Sequence, residues 1–435
     1  MCSTQATGRL TADPPHSPQG TGDAARAHPG ADDRAGRTPE ADRTSDVRAV
    51  DDDVPGAVGR ELERLLADRL ARCRGLDTVF AHDIAERVAR FTRSGGRRIR
   101  ARLVWWSLRA CGGGVDAART RAALRTAAAL ELIQTCALVH DDLMDQASTR
   151  RGDLALHADV TRQYAGSAPR SAASRLGGSA AVLAGDLALA WADDVLADLV
   201  LDPGLPSATG RRLNEVWRTL RTEMVAGQYL DVQGQATSAN TLDRAVRSAC
   251  LKSALYTVER PLELGAVLAG ADGATTLALC RAGRCAGLAF QLRDDLDDLF
   301  ADPEVTGKPS GGDVREGKPT YLLAAARALA TSADDRSALG VLERAVGRAD
   351  LPGSELAVVR DVLVSTGARD LVTAKVTRLS GQCLRHLGEA ALEPRAAARL
   401  RAVLAEVTGT PGQVSEDGGL PLAAALTASG TQAQR

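Results

Sequence analysis

Two acidic clusters end two long apolar segments of this 435-residue chain, and they restrict what it can fold into. DDLMD spans 141–145 and DDLDD spans 294–298, about 150 residues apart. On a helix, the first, second and fifth residues of each cluster fall within an arc of about 100°. Like charges at this spacing repel and weaken a helix. The pattern predicts helices whose carboxylates bind a hard divalent cation such as Mg²⁺, although either cluster alone is also compatible with a solvated acidic face.

Basic residues flank both clusters. Two arginines follow the first cluster, three basic residues follow a glycine turn upstream, and two lysines follow the second cluster. Guanidinium groups match phosphate oxygens, and lysines approach the same anion as point charges. Carboxylates and cations together favour a metal-bridged diphosphate, whereas each basic group alone is typical of ordinary surface charge. The residues are Arg150 and Arg151; Arg97, Arg98 and Arg100; and Lys308 and Lys318.

The bulk composition excludes several classes of protein. The formal net charge of −1 gives no global basic field for nucleic acid. None of the eight cysteines forms a CxxC pair, which favours reduced thiols in a cytoplasmic protein over disulfides or a zinc site. No apolar run reaches the length of a membrane span, and no secretion signal is recognised at the N-terminus. We therefore expect neither nucleic-acid binding nor stable membrane insertion.

The apolar pattern predicts an all-α fold. Alanine is abundant, aromatic residues make up only 3% of the chain, and strand-like alternation is scarce. We expect one large helical bundle over 54–408, with disordered tails over 1–53 and 409–435, because the tails lack large apolar residues. The expected long helices cover 122–145, 182–199, 213–232, 242–268 and 276–299.

The combined motifs resemble the trans-isoprenyl diphosphate synthases, also called polyprenyl synthetases, and most of all the bacterial geranylgeranyl diphosphate synthases. The resemblance extends from about residue 65 to 320 and, more weakly, to about 407. It is carried, in family order, by GGRRIR (95–100), HDDLMDQASTRRG (140–152), GD (185–186), GQYLD (227–231), LKSA (251–254), FQLRDDLDD (290–298), GKPSGGD (307–313) and GKPT (317–320). The resemblance implies a deep central cavity and a homodimer.

The resemblance also implies residue roles. The main ligands of a trinuclear Mg²⁺ site would be Asp141, Asp145 and Asp294, with Asp142, Asp295 and Asp298 holding metal-bound water or orienting the ligands. Binding of the allylic diphosphate falls to Arg150, Lys252, Lys308 and Lys318, with Ser253 beside Lys252. Binding of isopentenyl diphosphate falls to Arg97, Arg100, Arg151 and Gln134. The polar groups near the metals and near the allylic cation that the reaction forms would be Gln228, Asp231 and Gln291. Asp297 lies off the acidic arc, and we expect it to be solvated.

Product length is the least constrained property. The growing prenyl chain would extend along the helix that ends in the first cluster. Relatives that stop at C15 carry aromatic residues one turn before that cluster, where this chain has the small residues Cys136 and Ala137. Their size predicts geranylgeranyl diphosphate, C20, with Ile133 and Trp191 as a deeper floor. Farnesyl or longer products, and a floor from another helix, stay open.

Other functions are compatible with one acidic motif. A class I terpene cyclase or a prenyltransferase for an aromatic acceptor would not depend on isopentenyl diphosphate. A non-catalytic synthase subunit usually lacks one of the two motifs, and this chain keeps both. The pair of motifs therefore favours a chain-elongating enzyme.

Overall fold

The computed structural model describes residues 47–113, 116–237, 241–302 and 310–409. Helices dominate these ranges. Two short antiparallel strands of two residues each follow the first acidic cluster. The elements are α1 (Val47–Asp52), α2 (Val54–Leu76), α3 (Thr78–Phe80), π1 (Ala81–Ala85), α4 (Glu86–Arg93), α5 (Ile99–Ala110), α6 (Ala117–Met144), β1 (Thr149–Arg150), β2 (Asp153–Leu154), α7 (Leu156–Tyr164), α8 (Arg170–Val200), α9 (Ser207–Thr237), α10 (Leu242–Ala249), π2 (Cys250–Glu259), α11 (Arg260–Ala269), α12 (Gly273–Phe300), α13 (Gly312–Glu316), α14 (Tyr321–Ser332), α15 (Arg336–Ala345), α16 (Gly353–Ser365), α17 (Ala368–Glu389) and α18 (Pro394–Thr408). The all-α prediction is confirmed.

Helix α6 carries the first acidic cluster and runs through the larger hydrophobic core. It packs against α2, α5, α8 and α11, and the abundant small side chains of α6 and α8 allow their backbones to approach closely. Length and hydropathy alone would allow α6 to cross a membrane, but 78% of its most apolar stretch is buried in the protein. We conclude that α6 is a core helix that brings its carboxylates to one end of the bundle.

Helix α12 carries the second acidic cluster and spans two hydrophobic cores. Its first half, with Leu279 and Ala286, belongs to the larger core and packs against π2 and α11. Its second half, with Leu292 and Leu299, packs in a smaller core with α14 to α17. The second cluster therefore lies on the half of α12 that is fixed by the smaller core.

The segment predicted as one helix over 242–268 is divided. A ten-residue π-helical stretch, π2, separates α10 from α11. Pro261 is the second residue of α11, where its missing N–H removes one backbone hydrogen bond. Wide turns of this kind often occur at functional sites, and π2 contains Lys252.

The N-terminal boundary expected at residue 53 lies too far along the chain. Helix α1 begins at Val47, and Val50 is 1% exposed in the larger core. The Asp51 carboxylate accepts hydrogen bonds from Trp105 Nε1 at 2.9 Å and from two Arg109 nitrogens at 2.9 and 3.1 Å. The sequence did not predict this helix, because one buried valine and one carboxylate do not form a recognisable helical pattern in a polar segment. The rest of the expected tails, 1–46 and 410–435, lies outside the described residues.

Replacing Asp51 with alanine is expected to destabilise the fold. The indole N–H of Trp105, whose side chain is 1% exposed, would lose its acceptor in a buried environment. An unsatisfied buried donor costs about 1–3 kcal/mol. Urea denaturation of Asp51→Ala should show this loss, whereas the exposed neighbour Asp52→Ala should change the free energy of unfolding by less than about 0.5 kcal/mol. Equal stabilities for the two variants would contradict an anchoring role for α1.

Candidate active site

Both acidic clusters open into one cavity of about 620 Å³. Asp141 lines it from α6, and Asp294, Asp295 and Asp298 line it from α12. Asp297 also reaches the cavity, but its side chain is 49% exposed and lies 3.6 Å from Arg293. The predicted site residues that share this cavity further include Arg97, Arg150, Asp231, Lys252, Ser253, Gln291 and Lys318.

Each carboxylate of the first cluster faces a cation. The Lys252 ammonium group lies 3.1 Å from Asp141, Arg150 Nε donates to Asp142 at 2.7 Å, and the Lys318 ammonium group lies 3.1 Å from Asp145. Burial acts to raise the pKa of Asp141, but Lys252, Lys318 and Gln228 outweigh it and the pKa is lowered. Burial dominates at Asp142 and Asp145, and it raises both pKa values.

Lys252 is fixed between two helices. Its ammonium group lies 2.5 Å from Asp231 and 3.1 Å from Asp141, and Gln228 donates to the same Asp141 oxygen at 3.0 Å. Gly227 lets α9 approach the π2 backbone closely, because a Cβ at this position would lie only 2.3 Å from the backbone nitrogen of Lys252. The two acids outweigh the effect of burial and raise the pKa of Lys252, so it stays a cation.

The second cluster is more crowded with negative charge. Burial raises the pKa of Asp295 to about 7, and its neighbour Asp294 acts in the same direction. Gln291 donates to Asp295 at 2.8 Å, and the backbone N–H groups of Gly312 and Asp313 donate to Asp298 at 3.2 Å. Burial and the charge of Asp298 also raise the pKa of Asp313 well above its usual range. This half of the site therefore has an excess of carboxylates.

Lys318 lies between the first cluster and Asp313. Its ammonium group lies 3.1 Å from Asp145, 3.9 Å from Asp313 and 2.6 Å from Glu316. Burial lowers the pKa of Lys318, but these acids outweigh it and the pKa is raised. Lys318 thus pairs with Asp145 of the first cluster and with Asp313, whose backbone N–H donates to Asp298 of the second cluster. Lys308 lies outside the described residues.

The donor set fits a hard cation such as Mg²⁺. It consists of carboxylate oxygens, and Asp142 Oδ2 is buried with no hydrogen-bond partner. Within the described part of the chain, no three Asp, Glu, His or Cys side chains converge closely enough to form a preformed metal centre. The ion pairs of the first cluster explain this, because each carboxylate is turned towards its own lysine or arginine.

The residues that we assigned to isopentenyl diphosphate do not all lie in one environment. Arg100 donates to Thr257 Oγ1 at 2.9 Å and stacks 4.3 Å above the Tyr256 ring. The Tyr256 hydroxyl donates to Gln134 at 2.7 Å, so Arg100 and Gln134 share one environment.

Arg151 and Arg97 have other partners. Arg151 donates to the carbonyl oxygen of Ser94 at 2.9 Å, which holds it against the glycine turn. Arg97 pairs with a different element, because its guanidinium group is 3.6 Å from Glu406 of α18. The last helix therefore pairs through Glu406 with Arg97, which lines the cavity.

The side chains of the two residues predicted to set product length, Cys136 and Ala137, lie on different faces of α6. Cys136 is 3% exposed, and its sulfur lies 3.8 Å from the His140 ring, which contacts α8 through the carbonyl oxygen of Val182. Burial raises the pKa of the Cys136 thiol to about 12, so it stays neutral. Ala137 is four residues before Asp141 and lies on the same helix face, with its side chain partly buried.

Several residues at the site received no role from the sequence. Asp313 already stood in the GKPSGGD motif, and Tyr256 follows Lys252 by four residues. Glu131 precedes Gln134 by three residues, which places both on one helix face. Glu406 had no local signal, since it is distant in sequence from every motif.

Comparison with known proteins gives consistent results. Residues 82–350 match the polyprenyl synthetase family model. A (2E,6E)-farnesyl diphosphate synthase from Mycobacterium tuberculosis is 32% identical over 306 residues, which is 70% of this chain and 77% of the relative. A geranylgeranyl diphosphate synthase from the same species is 36% identical over 233 residues, 54% of this chain and 59% of that protein.

The fold has close structural counterparts. The crystal structure of a geranylgeranyl pyrophosphate synthase from Corynebacterium glutamicum, complexed with isoprenyl diphosphate and magnesium, has a TM-score of 0.77 and 34% identity. The match covers 82% of this chain and 98% of that one. The relatives therefore include synthases named for farnesyl diphosphate, C15, and synthases named for geranylgeranyl diphosphate, C20.

Proposed function

Since the chain belongs to the polyprenyl synthetase family of prenyltransferases, we propose that it condenses allylic diphosphates with isopentenyl diphosphate to form geranylgeranyl diphosphate, C20, in a Mg²⁺-dependent reaction. The observation that carries this proposal is the meeting of Asp141, Asp294, Lys252 and Lys318 in one cavity. A site for a charged diphosphate needs both the carboxylates that hold metal ions and the cations that contact phosphate oxygens.

The residues divide the work. Asp141, Asp145 and Asp294 would hold a trinuclear Mg²⁺ site, with Asp142, Asp295 and Asp298 orienting it. When bound, the metal neutralises the charge of the departing diphosphate. Lys252, Lys318 and Arg150 bind the allylic diphosphate, and we assign the same role to Lys308 from its motif alone.

The reaction then breaks the allylic carbon–oxygen bond. The double bond of isopentenyl diphosphate attacks the allylic carbon, and one proton leaves the new product for the released diphosphate. The Asp231 carboxylate holds Lys252 towards Asp141, and Gln228 and Gln291 hold Asp141 and Asp295 by their amides. Phe290, Ala249 and Pro319 are apolar parts of the cavity lining. Exclusion of water there would protect the allylic cation that this cleavage forms.

Small residues on α6 support the C20 product. Ala137 lies on the Asp141 face, one turn further from the metal site. Its methyl group would obstruct a growing prenyl chain less than an aromatic side chain at the same place. Cys136 faces α8 through His140, so Ala137 is the stronger candidate. The farnesyl diphosphate synthases among the relatives favour C15 as the second candidate.

The direct test is the product of the wild-type enzyme. Incubation of dimethylallyl and isopentenyl diphosphates with Mg²⁺, followed by chromatography of the prenyl products, should give mainly C20. Termination at C15 would replace our proposal with farnesyl diphosphate synthesis. Turnover of an allylic diphosphate without isopentenyl diphosphate would favour a terpene cyclase.

The two diphosphate sites should separate kinetically. Each of Arg100→Ala and Lys252→Ala removes one charge-assisted contact, worth about 1.5–3 kcal/mol. Arg100→Ala should raise the KM for isopentenyl diphosphate about tenfold or more, because Arg100 lies with Gln134 away from Asp141. Lys252→Ala should instead raise the KM for the allylic substrate. Steady-state kinetics with each substrate varied in turn would disprove this division if both variants affected both KM values equally.

We expect a homodimer in the cytoplasm. Helices α8 and α9 expose apolar side chains that include Leu183 at 58%, Val225 at 62% and Tyr229 at 68%. The helices adjoin through Asp193, which accepts a hydrogen bond from Trp217. A second copy covering this face would remove the apolar surface from water. Sedimentation velocity should give a dimer for the wild type and a monomer for Leu183→Glu.

A further inference from the structure

The second acidic cluster reaches into the C-terminal turn of α12. This turn, DDLF over 297–300, contains Asp297 and Asp298 and no basic residue. A helix carries a partial negative charge at its C-terminus, so carboxylates there are unfavourable and cations are favourable. The carbonyl groups of the last turn also lack N–H partners within the helix. The position of Asp298 therefore depends on groups outside α12.

Residues 310–313 supply part of this support. The Ser310 hydroxyl and the Gly311 N–H both donate to the carbonyl oxygen of Asp298 at 2.8 Å. The backbone N–H groups of Gly312 and Asp313 donate to the two oxygens of the Asp298 side chain at 3.2 Å. The 310–313 segment thus binds both the backbone and the carboxylate of Asp298. Asp298, Ser310 and Asp313 all line the cavity.

Arg360 of α16 joins this segment to the end of α12. Its Nε donates to the carbonyl oxygen of Leu299 at 2.5 Å, and its Nη2 donates to Ser310 Oγ at 2.6 Å. One guanidinium group therefore fixes the residue after Asp298 and the hydroxyl group that caps Asp298. Both partners are neutral oxygens, and the positive charge lies at the negative end of α12, where a cation is stabilising.

Helix α16 is fitted to the 310–313 segment at a second point. Leu356 lies one turn before Arg360 on the same face of α16. A Cβ on Gly311, which has a φ of +80°, would lie 2.5 Å from Leu356 Cδ2. Arg315 of α13 holds the segment from another side by donating to the carbonyl oxygen of Ser310 at 2.6 Å. Of these three contacts, that of Arg360 also reaches α12.

We propose that Arg360 is a positioning residue for the second metal-binding cluster, where it fixes Asp298 and Asp313 by joining the end of α12 to the 310–313 segment. This inference rests on the proposed function. Arg360 lies beyond residues 82–350, the range that matches the family model. It acts through the carboxylates and not by contact with the substrate. Mg²⁺ accepts little departure from octahedral geometry, so displaced carboxylates would hold it more weakly.

The sign of the effect separates positioning from background charge. Arg360→Met keeps an unbranched side chain and removes a positive charge near a cation site. By charge alone, this change would tighten the binding of a metal ion. If Arg360 positions the carboxylates, the Mg²⁺ concentration for half-maximal activity should instead rise about tenfold, as is typical for the loss of a group that orients metal ligands. The KM for isopentenyl diphosphate at saturating Mg²⁺ should stay close to the wild-type value.

Two further variants complete the design. Arg360→Lys retains the charge but replaces the planar fork of donors with a single ammonium group. Its Mg²⁺ requirement should therefore lie between those of the wild type and Arg360→Met. Val359→Ala is the matched control, since Val359 is the neighbouring residue of α16 and is 0% exposed in the smaller core. It should lower thermal stability without changing the Mg²⁺ requirement.

Titration of Mn²⁺, followed by electron paramagnetic resonance in the presence of inorganic pyrophosphate, measures metal binding without turnover. Carboxylate sites for Mg²⁺ also accept Mn²⁺. We expect Arg360→Met to bind Mn²⁺ about tenfold more weakly than the wild type, Arg360→Lys to be intermediate, and Val359→Ala to be unchanged.

Unchanged or tighter Mn²⁺ binding by Arg360→Met overturns the proposal, as does equal weakening in Val359→Ala. If Arg360→Met does not fold, Arg360→Lys decides the question, and wild-type Mn²⁺ affinity in that variant overturns the proposal. A wild type that binds no Mn²⁺ with pyrophosphate would instead refute the metal site of the proposed function itself.

Discussion

Alanine at Asp141 or at Asp294 is expected to lower turnover about 100- to 1,000-fold or more, because each variant removes a carboxylate that stabilises developing charge through Mg²⁺. The two residues lie on different helices, α6 and α12, but line the same cavity. Steady-state elongation assays with and without Mg²⁺ measure the effect. Removal of Mg²⁺ with a chelator should abolish wild-type activity, and added Mg²⁺ should restore it.

The fold should survive both substitutions. Asp294 adds to the charges that raise the pKa values of Asp295 and Asp298, so its removal relieves repulsion. Loss of Asp141 leaves Lys252 paired with Asp231. Asp297→Ala is the matched control, because its half-exposed side chain has Arg293, at 3.6 Å, as its ion-pair partner within the described ranges. The activity of this variant should stay within a few-fold of wild type. Near wild-type elongation by Asp294→Ala would disprove the metal assignment.

Phenylalanine at Ala137 is expected to change the main product from C20 to C15. The larger side chain would fill the space one turn beyond Asp141, where the growing chain would extend, and would leave the metal site intact. Product chromatography and kcat should together show a shortened product with turnover within about tenfold of wild type. Continued C20 synthesis by this variant would mean that the floor of the cavity comes from another helix.

Cys136→Phe is the comparison for this result. Cys136 is packed against His140 on the α8 side, so an aromatic residue there should disturb core packing more than product length. Thermal melting separates the two effects, because overpacking a core costs about 1–3 kcal/mol. A clean change to C15 in Cys136→Phe but not in Ala137→Phe would reverse our choice of residue.

The long helices and the acidic clusters were predictable from the sequence. Their signals are local, because an apolar run of helical length and carboxylates at positions one, two and five need no distant partner. The prediction that the runs over 122–145 and 276–299 are helices is confirmed by α6 and α12. Helix α6 begins five residues before the first run and ends one residue before its end, and α12 extends beyond both ends of the second run. The break of the 242–268 run at π2 was missed, because π-helical turns share the composition of ordinary helix.

The pairing of charged residues was decided only by the tertiary structure. Lys318 connects Asp145 to Asp313 across residues far apart in the chain, and Arg97 pairs with Glu406 of the last helix. The sequence by itself determined which segments are helical and which ends carry carboxylates, since these follow from periodicity. Which cation meets which acid depends on how helices hundreds of residues apart are packed, and only the assembled bundle decides that.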